Sequence, residues 1–138
     1  MAKIFSLTEA AAIALHGTIL IAKSKTMLNV TQIADSTGAS KHHVAKVLQR
    51  LVKDDILNSH RGPLGGFSLK GAPEDTTLLQ VYESIEGTID ITDCPVDNHI
   101  CPFDEHCILG NVANKMTSKF KEYLESQSLA SILAEFKV

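Results

Sequence analysis

Aromatic side chains are scarce in this chain of 138 residues: Trp is absent, and Phe and Tyr together make up 5% of the sequence. Apolar residues nevertheless account for 44% of it. The core must therefore be built mainly from aliphatic side chains, and that composition suits a helical protein. A chain of this length fits one domain, or a compact domain with an appendage.

Long apolar runs are also missing. The longest one, over residues 10–22, contains His16, Gly17 and Thr18, and it is too short to cross a bilayer. Glu9 interrupts the apolar sequence where the core of a signal peptide would begin. We therefore predict a soluble, cytoplasmic protein that does not enter the membrane.

The sequence lacks the motifs of common enzyme classes. It contains no phosphate-binding loop, and no nucleophile–base pair or pair of carboxylates accompanies its cysteines. It also has no internal repeats and no low-complexity segments. A regulator or a binding protein is favoured over an enzyme. A redox protein or metalloenzyme that uses its cysteines for electron transfer or hydrolysis is the alternative.

Charge is distributed unevenly along the chain. Residues 1–70 carry nine Lys/Arg and four Asp/Glu, a formal charge of +5, whereas residues 71–138 carry four and twelve, a charge of −8. The first half could approach a polyanion that would repel the second half. This asymmetry indicates a basic recognition unit joined to an acidic unit with another task, although uneven surface decoration would give the same numbers.

Cysteine is rare, and its few occurrences are bunched. All three cysteines lie between Cys94 and Cys107, with Cys101 between them, in the spacing C-x6-C-x5-C. An odd, clustered set argues against an extracellular disulfide framework. Pro, Asp, Asn and His surround the thiols, which is typical of a loop. Thiolates are soft ligands that suit iron–sulfur clusters or zinc, so we predict a metal or cluster site. A zinc site and a metal-free thiol switch remain alternatives.

The basic half contains the pattern of a helix-turn-helix. Ala34, Gly38 and Val44 have the spacing that this motif requires: a small residue where two helices cross, a turn glycine, and an anchor on the second helix. We predict helices over residues 30–37 and 41–54, the second capped by Ser40. The candidates for DNA contact on the second helix are Ser40, Lys41, His42, His43, Lys46 and Arg50. An ordinary solvated helix face is the competing interpretation.

A hairpin follows the second helix directly. We predict strands over residues 56–61 and 67–69, joined by the glycine-rich turn of residues 62–66. A hairpin in this position is typical of the wing of a winged helix. Arg61, beside a tip that includes Gly65 and Gly66, could reach a minor groove or a phosphate.

The acidic half is predicted to consist of helices around the cysteine loop. A linker at residues 71–75, where Pro73 prevents helix, leads to a helix over residues 78–86 and an extended segment at residues 88–92. A long amphipathic helix from about Glu105 to Leu124 has too little of its own chain to pack on, so it is predicted to pair with a second subunit. A short helix over residues 128–136 closes the chain. We thus predict a mainly α protein with a winged helix-turn-helix in residues 1–72 and a cluster-binding and dimerisation part in residues 73–138.

These motifs resemble a known family. The segment Arg61-Gly-Pro-Leu-Gly-Gly-Phe-Ser-Leu69 looks like the R-G-x-x-G-G-x-x-L wing of the IscR/NsrR regulators, the Rrf-two family. The three-cysteine loop leading into a long helix is also similar, and the match covers the whole chain in order. The resemblance implies a homodimeric winged-helix transcriptional regulator, most simply a repressor, that binds promoter DNA. Its iron–sulfur cluster, 2Fe–2S or 4Fe–4S, would sense redox state, nitric oxide, oxygen or iron–sulfur supply.

The resemblance also implies a set of cluster ligands. Cys94, Cys101 and Cys107 match the three cysteine ligands, although six residues separate the first two where five are usual. The IscR branch has a histidine three residues after the last cysteine, and here Gly110 stands in that place. NsrR-like members use a carboxylate near the start of the first helix of the partner subunit, which Glu9 in Thr8-Glu9 would match. Glu9 is the first candidate for the fourth ligand; the second choices are His99 and His106. The competing interpretation of Glu9 is an acidic residue that only stabilises the dipole of the first helix.

Overall fold

The computed structural model describes residues 1–92, 94, 100–103 and 106–136, and these fold into α-helices around one small sheet. In chain order the elements are α1 (Glu9–Lys23), α2 (Val30–Thr37), α3 (Lys41–Lys53), β1 (Leu57–His60), β2 (Gly66–Leu69), a 3₁₀ turn (Pro73–Asp75), α4 (Leu78–Glu86), α5 (Val112–Ser126) and α6 (Leu129–Phe136). The mainly α winged-helix class predicted from the sequence is confirmed.

Helix α1 is the central element of the fold. Thr8 caps its first turn, because its hydroxyl oxygen accepts a hydrogen bond from the backbone N–H of Ala11 at 3.0 Å. The helix packs against α2, α3, α4, α6 and β2. Its buried residues include Ile13, Ala14 and Ile21, which join the main hydrophobic core. Most elements of the fold therefore pack directly on α1.

The helix-turn-helix has the boundaries that its capping residues predict. Asn29 and Gln32 form a reciprocal capping box at the start of α2. Gly38 ends that helix with φ of +75°, a backbone conformation that glycine adopts without steric cost. Ser40 then caps α3 by accepting a hydrogen bond from the His43 N–H. Ala34 and Val44 are buried, as the motif requires.

The hairpin packs onto the loop that follows α1. Its strands pair antiparallel, with Leu57 opposite Leu69 and His60 opposite Gly66. Leu28 exchanges two backbone hydrogen bonds with Phe67, at 2.7 and 3.2 Å, and so adds a single bridge to the sheet. Gly66 must be glycine here, because a Cβ would lie 2.6 Å from the Leu28 carbonyl oxygen and φ is +155°.

The C-terminal helices fold back onto α1 and α4. A second hydrophobic cluster contains Leu78, Leu79, Leu124 and Leu129 and packs against residues of α1. Two backbone hydrogen bonds of 2.9 Å, from Leu78 to Gln127 and from Leu129 to Thr76, join the starts of α4 and α6. The division at residues 72/73 stays a prediction.

Three local predictions were wrong. Pro73 does not exclude helix from the linker, because it begins a 3₁₀ turn, and the missing N–H of a proline at the first position has no helical acceptor in any case. The extended segment predicted for residues 88–92 ends early, because residues 91 and 92 lie in a turn and only residues 88–90 are without regular secondary structure. Residues 106–111 form turns, and α5 begins only at Val112.

The late start of α5 has a backbone cause. Gly110 and Asn111 have φ of +60° and +58°, and two consecutive left-handed residues cannot continue a right-handed helix. The apolar periodicity that predicted a start near Glu105 therefore belongs partly to a turn. Within the described ranges, no helix is both long enough and apolar enough to cross a membrane.

Candidate functional site

Helix α3 presents a polar, basic face to solvent. Its apolar residues Val44, Leu48 and Leu51 are fully buried, which turns the opposite side outward. The side chains predicted to contact DNA are exposed or half-buried: Ser40, Lys41, His42, His43, Lys46 and Arg50. Within the described part of the chain, Lys41 and Lys46 form no ion pair. Their charges are thus available to a polyanion.

Arg50 is partly committed within the protein. Its Nε donates to Asp54 Oδ2 at 3.3 Å, one turn further along the chain. Asp54 also accepts a hydrogen bond from the hydroxyl of Ser84 on α4 at 2.5 Å. The Ser84 hydrogen bond, with a further contribution from Arg50, lowers the pKa of Asp54. Arg50 would have to exchange this carboxylate for a phosphate in order to contact DNA.

The two candidates Glu9 and His43 contact each other. Oε1 of Glu9, in the first turn of α1, lies 2.8 Å from Nδ1 of His43 on α3. The sequence predicted Glu9 as a metal ligand and His43 as a DNA contact, with no link between the two roles. No sequence pattern could have found this pair, because its members are 34 positions apart.

The wing places Arg61 at the exposed end of the hairpin. The tip closes through a 2.9 Å hydrogen bond from Gly65 N–H to the Gly62 carbonyl oxygen. Gly65 and Gly66, which the sequence assigned to DNA contact, also have a packing reason to be glycine. A Cβ at Gly65 would collide with the His60 carbonyl oxygen. Arg61 itself is exposed and, among the described residues, makes no ion pair.

Leu64 is a wing residue that the sequence did not identify as a candidate for DNA contact. It is 89% exposed at the tip, between Pro63 and Gly65. A large apolar residue at the apex of a tight turn has no core to reach, and that position is the signal that could have identified it. Apolar side chains on protruding loops can contact the sugars and bases of a groove.

The cysteine loop presents its thiols to solvent. Cys94, Cys101 and Cys107 are all free and exposed. The sulfur of Cys101 accepts a hydrogen bond from the Phe103 N–H at 3.4 Å. Backbone N–H groups of Asn111 and Leu109, with a smaller contribution from Gly110, lower the pKa of Cys107. Hydrogen bonds to sulfur favour the thiolate form, which is the form that binds metals.

The donor set fits a soft metal or an iron–sulfur cluster in its chemistry, because three accessible thiols lie on one loop. No group of three or more His, Cys, Asp or Glu side chains is arranged to hold a metal among the residues that the structure describes. Within one chain, therefore, the described residues Cys94, Cys101, Cys107 and Glu9 are not brought together as a ligand set. His106 is exposed, and His99 lies outside the described residues.

Helix α5, directly after the loop, carries an exposed apolar stripe. Val112, Met116 and Tyr123 are each more than 40% exposed, and Leu124 is the buried residue of this helix. Phe120 lies between them and contacts the rings of Phe5 and Tyr82, with centroids 5.0 and 5.3 Å apart. One side of α5 thus packs on its own chain, and the other is left to solvent.

A capped helix-turn-helix with a basic outer face, followed by a glycine-tipped hairpin, defines a winged-helix protein. The chain belongs to the Rrf2 family, whose model, described as "Iron-dependent Transcriptional regulator", matches residues 7–135. Relatives include the HTH-type transcriptional regulator NsrR of Bacillus licheniformis, which is 32% identical over 80% of this chain and 78% of its own length. The putative regulator BadM of Rhodopseudomonas palustris is also 32% identical, over 83% of this chain and 71% of its own. These relatives are transcriptional regulators and not enzymes.

Solved structures share the fold. CymR, the global cysteine regulator of Bacillus subtilis, superimposes with a TM-score of 0.76 at 20% identity, covering 96% of this chain and 98% of CymR. IscR of T. potens gives a TM-score of 0.73 at 17% identity, covering 96% and 88%. CymR of Staphylococcus aureus in its oxidised form also gives 0.73, at 16% identity and with 93% and 95% covered. The predicted family and fold are confirmed.

Proposed function

We propose that this chain is a homodimeric DNA-binding repressor that senses redox state, nitric oxide or iron–sulfur status. In this proposal Cys94, Cys101 and Cys107 hold an iron–sulfur cluster, either 2Fe–2S or 4Fe–4S. Residues 1–72 read promoter DNA, and residues 73–138 bind the cluster and join two subunits in the cytoplasm. The family membership and the NsrR relative support this proposal.

One observation carries the proposal. Three exposed free thiols lie directly before α5, in a chain whose other half exposes the basic face of α3. Buried structural cysteines would be scattered over the core, whereas these are placed where a ligand can reach them. A change at the loop would act first on the helix that follows it.

The DNA-binding surface would combine α3 with the wing. The residues of α3 named above would face the major groove, and Arg61 with the Gly65-Gly66 tip would approach the adjacent minor groove or its phosphates. The exposure of Lys41, Lys46 and Arg61, without ion pairs among the described residues, supports this assignment. Binding by such side chains releases counterions and must weaken steeply with salt.

Dimerisation would bury the apolar stripe of α5. Soluble monomers seldom leave such a contiguous stripe exposed, and two copies related by a twofold axis would cover each other's Val112, Met116 and Tyr123. The same axis would space two copies of α3 for successive half-sites on DNA. It would also bring Glu9 of one subunit towards the loop of its partner, where it would supply the fourth ligand.

Anaerobic purification followed by absorption and Mössbauer spectroscopy tests the cluster. We expect a coloured protein whose cluster signal is lost when any one of the three cysteines is changed to Ser. Glu9→Ala should keep a cluster with an altered spectrum, because three ligands remain while the environment of one iron changes. Each form is then titrated with palindromic DNA selected from a random pool.

The outcomes separate the parts of the proposal. A colourless protein that carries zinc would refute the cluster, and an unchanged spectrum in Glu9→Ala would remove Glu9 from the ligand set. In that case His106→Ala and His99→Ala are the next variants. DNA affinity that is insensitive to added salt would refute phosphate binding by α3 and the wing.

A thiol switch without a cluster is the second candidate function. The exposure of all three cysteines and the lowered pKa of Cys107 favour it. One structural relative, CymR of Staphylococcus aureus, has been solved in an oxidised form. Peroxide treatment of metal-free protein, followed by mass spectrometry of the thiols and DNA titration, distinguishes this candidate from the cluster. A zinc-stapled regulator would instead be detected by elemental analysis.

A further inference from the structure

The Glu9–His43 contact joins the first turn of α1 to the first turn of the recognition helix. Its two atoms, Oε1 and Nδ1, lie 2.8 Å apart, and the side chains are 65% and 36% exposed. Glu9 is thus open to a second molecule on its outer side while it holds His43 on its inner side. Within the described residues, its second carboxylate oxygen makes no hydrogen bond.

Both backbones at this contact are fixed independently of it. Thr8 caps α1 through the Ala11 N–H and donates its own hydroxyl to the Glu86 carboxylate at the end of α4. The N–H of His43 is held by Ser40 at 3.1 Å. Among the hydrogen bonds and ion pairs of the described residues, the Glu9–His43 contact alone joins α1 to α3. A change in the position or charge of either side chain can therefore alter the other side chain without unfolding a helix end.

We propose that the Glu9 carboxylate and the His43 imidazole connect the cysteine loop to the recognition helix. Through this contact, the binding of a cluster at the loop would change the affinity of the recognition helix for DNA. This inference rests on the proposed function, in which Glu9 supplies the fourth ligand. His43 would be a positioning residue for DNA binding, because its ring is oriented by Glu9 on one side and faces the DNA surface on the other.

Charge sharing gives the connection its physical basis. A carboxylate that coordinates a metal cation gives up part of its negative charge and fixes its orientation. The same carboxylate then accepts a weaker hydrogen bond from Nδ1 of His43, because charge-assisted hydrogen bonds are the stronger kind. The ring is freed to change rotamer at the third residue of α3, where a recognition helix contacts base edges.

The first experiment uses metal-free, reduced protein and measures DNA affinity by fluorescence anisotropy. Four proteins form a double-mutant cycle: wild type, Glu9→Gln, His43→Ala and the double variant. We expect each single variant to change affinity, and the double variant to be within about twofold of His43→Ala, because Glu9 acts through His43. Additive effects of the two substitutions would overturn the connection.

The second experiment compares the loaded and metal-free forms of each protein. We expect wild-type affinities for DNA to differ between the forms by a factor on the order of fivefold or more. In His43→Ala this ratio should fall to about one. His42→Ala is the matched control: His42 is the adjacent imidazole of the same helix, it is exposed, and among the described residues it makes no hydrogen bond or ion pair with Glu9. Because His42 is itself a candidate DNA contact, His42→Ala is expected to weaken DNA binding of both forms alike and so to keep the wild-type ratio.

A conservative variant gives the sharpest check. The amide nitrogen of Asn lies close to where Nδ1 of His lies, so His43→Asn can still donate to Glu9 and should restore part of the ratio. In addition, the ring nitrogen resonances of His43, and not those of His42, should move between the two forms. A full ratio in His43→Ala, or equal ratios in His43→Asn and His43→Ala, would overturn the proposal.

Failure of the proposed function gives a different result. If the protein binds no cluster, the proposed function and the link from the cysteine loop to Glu9 are both refuted, and the metal-free cycle reports separately whether Glu9 acts on DNA through His43. If a cluster is present and Glu9→Ala leaves its spectrum unchanged, Glu9 is not a ligand and the connection is refuted. If Glu9 is a ligand and His43→Ala keeps the ratio, the proposed function stands without this connection.

Discussion

The hydroxyl of Ser84 donates a 2.5 Å hydrogen bond to the Asp54 carboxylate, and this contact joins α4 to the C-terminal end of the recognition helix. Asp54 accepts at the same oxygen from Nε of Arg50, which lies on the face predicted to meet DNA. Helix α4 leads into the segment before the cysteine loop. The Ser84–Asp54 contact thus links the two halves of the chain, and it lies at the opposite end of α3 from the Glu9–His43 contact.

This contact predicts a pH-dependent effect of Ser84→Ala on stability. The hydrogen bond from Ser84 lowers the pKa of Asp54, so its contribution is fully present above the unfolded-state pKa of about 3.9. It is lost as the pH falls through the lower pKa of the folded state. Urea unfolding should therefore show wild type more stable than Ser84→Ala at pH 7, with the difference shrinking below about pH 4.

Asp54→Asn is the control for that titration. This variant cannot ionise at position 54, so adding Ser84→Ala to it should change the unfolding free energy equally at pH 7 and at acid pH. A wild-type difference that does not depend on pH would refute the assigned cause of the pKa shift.

The wing should contribute one phosphate contact. Arg61→Ala should weaken DNA binding roughly tenfold, equivalent to about 1.4 kcal/mol, and reduce the slope of log affinity against log salt by about one. Lys70→Ala removes the same charge at the base of the hairpin, where Lys70 pairs with Asp55 at 2.7 Å. Anisotropy titrations at several salt concentrations should show little change in that control. Equal losses in both variants would indicate a general charge effect.

Gly66 should be required for the wing to pack. In Gly66→Ala the new Cβ would meet the Leu28 carbonyl oxygen at 2.6 Å, in a backbone conformation with φ of +155°. We expect a loss of roughly 1–3 kcal/mol in unfolding free energy. Gly71→Ala is the matched control, since its nearest neighbour, Thr76 Oγ1, is 4.0 Å away. Chemical denaturation should show it within about 0.5 kcal/mol of wild type.

The apolar stripe of α5 should hold the dimer together. Met116 is 43% exposed on this stripe, and Met116→Glu would place a charge in the proposed interface. We expect the dissociation constant of the dimer to rise by about 100-fold, close to 2.7 kcal/mol. Sedimentation measurements can follow this change. Ser118→Glu introduces the same charge on an exposed residue off the stripe and should leave the dimer intact; dissociation in both variants would argue against the assigned interface.

Local signals predicted the helices and the wing well. Ser40 caps the helix that it was predicted to cap, and Gly38 ends the preceding helix, as the helix-turn-helix pattern predicted. Capping depends on atoms within a few residues of each other, so it can be read without knowledge of the tertiary structure. The start of α5 could not be read in this way, because an apolar residue has the same appearance in a turn as in a helix.

The sequence predicted which residues belong to the candidate site, but not which of them contact one another. Residue types identified the three thiols as soft ligands and α3 as a basic face, because those properties belong to single side chains. The 2.8 Å contact of Glu9 with His43 required the fold, since only the packing of α1 against α3 brings together residues 34 positions apart.

The sequence by itself thus determined the elements and the chemical inventory: capped helices, a glycine-tipped hairpin, a basic half and three clustered thiols. The tertiary structure decided which of these residues contact one another. It paired Arg50 and Ser84 with Asp54, and Glu9 with His43, and it left one side of α5 exposed among the residues that the structure describes. The physical reason is range: capping and charge composition are local quantities, whereas these pairings depend on how the cores around Ile33 and Leu129 pack.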